Sequence, residues 1–262
     1  MKINTIGNTI AGVAIVLLLQ SCAATIHPKN KITGIRMTST FPKMSMEGKL
    51  LFYDTMVANI YYYKNQSLYS LEYSLYTPDQ DIWIEKPERI VPYYFGFTNG
   101  KEKGLLFDTS ARFPVVLTPV DSFLKQQWVQ RMDIYTNMQK AELATLSEKK
   151  DSNAGIYTRT FSFKMLADSN WKGIITHYYS KNYNDIPYSF CRQCDSTMNM
   201  KLYRAEIINF GRYLVNEKMN IDRIDQLFLI EKLSDIKEKE LLPFFEADKK
   251  MNDSLQSINR LY

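Results

Sequence analysis

The sequence predicts an α+β domain that is mainly β: a curved antiparallel meander sheet with C-terminal helices packed on it. Three observations lead there. Tyr69, Leu71, Tyr73 and Leu75 alternate with Ser70, Glu72 and Ser74, a period of two that buries one face of a strand. Strand-like segments follow one another through turn signals without a long helical stretch between them, which suits antiparallel pairing. The last forty or so residues change character: Ile221, Ile224, Leu227, Phe228 and Leu233, then Met251, Leu255, Ile258 and Tyr262, fall at helical spacing.

The elements are justified in chain order. Strand character begins near Ile32, and Gly48 to Met56 and Val57 to Tyr63 continue it. Pro78-Asp79 breaks the alternation, and Ile82 and Ile84 resume it. Tyr93, Phe95 and Phe97 share one face. Asn99-Gly100 to Gly104 is turn material, and Leu105 to Asp108 returns as a strand. Asp121 to Met132 is the first helical candidate, on a weak pattern. Ser147 to Gly155 is polar and is expected to be a loop. Ile156 to Lys164, Gly173 to Tyr179 and Met200 to Asn209 are further strands. A helical segment over about 221–262 should pack on the sheet, with Pro243 ending or kinking whatever helix precedes it.

Composition limits the functional classes. Charged residues make up 23% and hydrophobic residues 45%, the range of a globular domain rather than a disordered one. The net charge is +5, Lys2 supplies one unit of it, and no basic cluster exceeds two adjacent lysines, so no nucleic-acid partner is expected. The 18 Tyr and 14 Phe crowd the first third, at Tyr53, Tyr61 to Tyr63, Tyr69, Tyr73, Tyr76, Tyr93, Tyr94 and Phe95. Strand packing explains them better than an aromatic binding face, because Tyr suits a half-buried pleated surface.

The first residues carry a targeting signal. Lys2 precedes the apolar run Ile10 to Leu19, ten residues long, whereas a bilayer-spanning helix needs about 20. The run ends at Leu19-Gln20-Ser21-Cys22. This resembles the lipobox of bacterial lipoproteins: a Leu, a loosely specified position, a small residue and an obligatory Cys. Gln20 is bulkier than the usual occupant. The alternative is an ordinary secretory signal, with Ala23-Ala24 as part of the cleavage site.

The resemblance covers the leader alone and implies a signal peptide over 1–21 and palmitate-type acyl chains on Cys22. Residues 22–31, without an apolar pattern, are expected to be a tether, and the length and strand pattern of 32–262 predict one β-rich domain with a helical C-terminal segment. Two or more acyl chains anchor stably where one does not. By resemblance to lipoprotein sorting, the lack of Asp after Cys22 implies the outer membrane. The lack of an acidic run implies the periplasmic side.

Cys191-Arg192-Gln193-Cys194 is the only compact chemical constellation. A disulfide suits an oxidising compartment, and the chain-entropy gain for so short a ring is about 2 kcal/mol. A thiol–disulfide oxidoreductase would instead need the first Cys at a helix N-terminus after a strand; the flanking residues look like a loop. A zinc site would need two more ligands, and only His27 and His177 exist. His177 is expected to be a surface or satisfied core residue. No nucleophile elbow, phosphate loop or metalloprotease motif is present, so neither a catalytic residue nor a cofactor is assigned.

The expectation is a non-catalytic envelope lipoprotein that binds a partner or supports an assembly. A carrier or sensor of an apolar ligand is the alternative, because a meander with a covering helix looks like the lipoprotein-carrier fold by analogy alone. A continuous apolar cavity favours the carrier; a flat exposed aromatic patch favours the scaffold.

Overall fold

The computed structural model describes residues 31–75, 89–107, 114–126, 141–166, 168, 170–214 and 218–259. The leader, Cys22 and His27 lie outside the described residues, as do Pro78, the Ile82–Ile84 alternation, residues 127–132 of the first helical candidate, and Tyr262.

The fold is mainly β, and one sheet of eleven antiparallel strands organises it. The first six strands form an unbroken meander: β1 (Thr33–Met44), β2 (Leu50–Tyr63), β3 (Gln66–Leu75), β4 (Arg89–Thr98), β5 (Lys103–Phe107) and β6 (Pro114–Pro119). A short helix, α1 (Val120–Gln126), follows. The second meander contains β7 (Ala141–Asp151), β8 (Ile156–Met165), β9 (Lys172–Ser180) and β10 (Lys201–Asn209). A segment holding a 3₁₀ turn (Lys181–Tyr183) and α2 (Arg192–Met198) interrupts it between β9 and β10. The hairpin β11 (Arg212–Leu214) and β12 (Met219–Ile221) precedes β13 (Ile224–Lys232), and α3 (Glu238–Asn259) ends the described chain.

The strand order, β6-β5-β4-β3-β2-β1-β13-β10-β9-β8-β7, places β1 beside β13 at the centre. The sheet is curved but not closed. Its two edges, β6 and β7, are consecutive in sequence. Their connection must therefore join opposite edges, ten strand spacings of about 4.8 Å apart along the sheet.

The two faces carry separate cores. Ile35, Met37, Ile60, Tyr62, Phe95, Ile175, Leu202 and Ile230 belong to the inner core. The cover over them comes from Val120 and Phe123 of α1 and from Ile186, Phe190, Cys191 and Cys194 of the β9–β10 segment. The Phe123 and Phe95 rings stack at 3.8 Å between centroids. On the outer face, α3 packs Leu241, Phe244 and Phe245 against Ile32, Leu68, Leu105 and Phe107. Phe244 stacks on Tyr94 at 4.6 Å and meets Phe107 edge-on at 4.9 Å. Buried Asp248 fixes the helix in place: Gln66 Nε2 and Thr98 Oγ1 donate to its Oδ2 at 2.8 and 2.7 Å.

Three sequence expectations need correction, and one strand was not anticipated. The helical reading of 221–237 is wrong over Ile224–Lys232, which is β13. There Phe228 and Ile230 face the inner core with a period of two, and the Ile224, Leu227, Phe228 spacing mimics a helix by coincidence. Pro243 does not end α3 but lies inside it, where its missing N–H removes one backbone bond near the start of a 22-residue helix. The polar stretch from Ser147 is not a loop throughout, because β7 runs to Asp151 and only 152–155 form the turn. As an edge strand exposed on both faces, β7 has no apolar alternation to betray it, and backbone pairing with β8 holds it. β6 was not among the expected strands; its prolines, Pro114 and Pro119, sit at the ends of an edge strand, where a missing backbone donor does no harm.

Candidate functional site

The cysteine pair forms a disulfide, with Cα atoms 5.2 Å apart. Contrary to the loop reading, Cys191 is the N-cap of α2, and its Sγ accepts from the Cys194 backbone N–H at 3.0 Å. Asp195, the next residue, locks this turn onto β10. Its carboxylate accepts from Leu202 N–H at 2.7 Å and from Ser189 Oγ at 2.6 Å, and pairs with Lys201 Nζ at 3.0 Å. Cys191 and Cys194 are 3% and 8% exposed and pack into the inner core. A redox-active cysteine must be reached by its partner, so this burial suits a structural cross-link that pins the cover.

His177 is also an inner-face residue, 7% exposed. Its Nδ1 lies 3.1 Å from the Tyr179 hydroxyl, and its Nε2 has no hydrogen-bond partner. Burial first, and the nearby Arg159 guanidinium second, push its pKa down to about 4, so the ring is neutral at pH 7. Arg159 itself pairs with Glu148 at 2.8 Å and lies over the Phe161 ring. Among the described residues no group of His, Cys, Asp and Glu could hold a metal ion. Several tyrosines of the first third are packing residues. Tyr62 and Tyr69 are buried in the inner core, and burial raises both hydroxyls above the ordinary value. Tyr61, Tyr63 and Tyr94 pack with the outer core under α3.

The surface has a marked polarity along the strands. Eleven large hydrophobic side chains are exposed among the described residues. Four lie on the edge strands: Val116 and Leu117 on β6, Leu143 and Leu146 on β7. The other seven gather at one end of the sheet, where β1 finishes. Met46 (98% exposed), Leu51 and Tyr53 come from the β1–β2 turn and the start of β2. Leu166 (64% exposed) and Trp171 come from the β8–β9 turn, and Phe210 and Tyr213 from the β10–β13 insertion.

These three loops are joined to one another. Gly48 adopts φ +78°, and a Cβ there would come 2.4 Å from the Asn220 carbonyl oxygen, so only glycine lets the β1–β2 turn approach β12. Asp222 N–H donates to the Gly48 carbonyl, and Leu50 N–H to the Asp222 carboxylate, both at 3.0 Å. The Tyr53 hydroxyl accepts from Asp225 N–H at 2.8 Å. On the other side Arg212 pairs with Asp168 at 3.1 Å and lies over the Trp171 ring, whose Nε1 donates to Asn209 at 2.9 Å. The result is one braced platform with apolar side chains left in water.

Comparison with known proteins adds no family. No protein-family profile matches this chain, and no curated protein matches it. The site must therefore be judged from its own geometry. The platform escaped sequence reading because an apolar residue beside a turn looks like the end of a buried strand. Only the spatial convergence of three loops distinguishes the two cases.

Proposed function

We propose that this protein is a non-catalytic lipoprotein of the cell envelope, anchored through Cys22, that docks an envelope partner through the apolar platform. The observation that carries the reading is the gathering of seven exposed hydrophobic side chains on interlocked loops, because exposed apolar patches mark interaction surfaces. Their place fits an anchored protein. The described chain starts at Lys31, at the opposite end of β1, nine residues after Cys22. That tether reaches at most about 30 Å, while the twelve residues of β1 span about 40 Å. A bilayer anchored at one end thus leaves the platform facing away from it. By the sorting resemblance, the protein sits in the outer membrane and faces the periplasm.

Two experiments test the two parts. Cys22→Ala should abolish membrane fractionation and labelled fatty-acid incorporation; wild-type labelling of that variant would overturn the anchor. A photo-crosslinking residue at position 46 or 166 should capture one discrete envelope component in living cells, whereas the same group at Thr176, on the outer face of β9, should not. Equal capture from all three positions would overturn the docking surface. A second reading, a carrier of an apolar ligand, draws support from a cavity of about 310 Å³ at the opposite end.

A further inference from the structure

The cavity lies where β1 begins, between the two cores, at the seam of the two meanders. Ile32, Ile35, Ile186, Leu233 and Ile236 supply apolar wall. Its charged lining residues are Lys31, Asp185, Lys232 and Glu238. Lys232 Nζ is committed to both Asp185 oxygens, at 2.8 and 2.9 Å. Lys31 and Glu238 have no ion-pair partner among the described residues. The site thus offers an apolar interior with one uncommitted charge of each sign. Its volume equals about ten waters at ~30 Å³ each, at the small end of ligand pockets. That space holds at most one alkyl chain and is too small for a two-chain lipid.

We infer that this cavity binds a single-chain zwitterionic amphiphile, with its alkyl chain among the isoleucines and its head between Lys31 and Glu238. The head's anionic group meets the lysine and its cationic group meets the glutamate, so neither charge enters the apolar interior, where an unpaired ion is costly. This deepens the carrier reading and does not depend on the docking platform, whose loops lie at the other end of the sheet.

The probe is a single-chain phosphocholine with a diazirine in its alkyl chain, added to membranes that contain the full-length protein. Adducts mapped by mass spectrometry should fall on 31–35, 185–187 and 232–238. Dodecylphosphocholine should compete at least tenfold better than dodecanoate or dodecylamine. Ile236→Trp, which fills the cavity, should cut labelling at least tenfold while crosslinking from position 46 persists. Adducts at the platform or scattered over the surface would overturn the site. Equal competition by dodecanoate would overturn the head-group assignment. Undiminished labelling of a folded Ile236→Trp protein would also overturn the site. If that variant does not fold, the wild-type adduct map and the competition series decide the question alone.

Discussion

The two meanders share a sheet but are covered differently. Strands β2 to β5 carry packed side chains on both faces, under α3 outside and under α1 and the β9–β10 segment inside. Strands β8 to β10 are covered on the inner face only. Their outer face carries Thr160 beside Thr176 at 3.4 Å, and Tyr178 donating to Glu206 at 2.9 Å. The sequence differs accordingly. Tyr61-Tyr62-Tyr63 is a consecutive aromatic run because three successive side chains all find packing partners. Ile175, His177 and Tyr179 alternate with Ile174, Thr176 and Tyr178, and only the first set is deeply buried. Where a sheet is covered on two sides, successive side chains are apolar; where it is covered on one side, polar residues take every second position.

This contrast can be broken at graded cost. Phe244→Ala should have the largest effect, about 3–5 kcal/mol, since it removes the ring that stacks on Tyr94 and meets Phe107 edge-on, and leaves a cavity under α3. Urea unfolding measures it, and a loss below 1 kcal/mol would mean that α3 is not essential to the first meander.

The second meander should respond to pH through His177. Its native pKa of about 4 lies below the unfolded value of 6.5, so the unfolded chain binds the extra proton first. The contribution of the neutral ring is complete above pH 6.5. It declines by roughly 1.4 kcal/mol per unit as pH falls towards 4, on the order of 3 kcal/mol in all. His177→Phe should flatten that part of the stability–pH curve; an unchanged slope would refute the assignment.

Replacing Cys191 and Cys194 together by Ser should cost least, about 2 kcal/mol. Ser at 191 remains a good N-cap, so the loss isolates the cross-link. The thermal midpoint should fall while the docking capture from position 46 survives. A Cys194→Ser variant that traps mixed disulfides with other proteins would instead make the pair redox-active.

Much of the fold was legible where burial is one-sided or consecutive. The alternation of 69–75 is β3, and Tyr93, Phe95 and Phe97 do share the inner side of β4. The Cys191–Cys194 link was legible from spacing, but its place at a helix cap was not, because seven residues carry too little periodicity to read as a helix. β7 was hidden because an edge strand needs a neighbour's backbone rather than a pattern of its own. β13 was misread because nine residues satisfy helical and strand spacing at once, and only pairing with β1 and β10 decides between them.

The sequence by itself determined the β-rich class and the antiparallel meander, because each is a local pattern of apolar and turn residues. Tertiary structure alone decided which strands sit at the centre and at the edges, which face α3 covers, and which apolar residues remain in water. Met46, Trp171 and Phe210 are far apart in the chain, and Ile32, Ile186 and Ile236 are as well. The platform and the cavity exist only where the sheet brings those distant residues together, and no local pattern of apolar residues encodes that meeting.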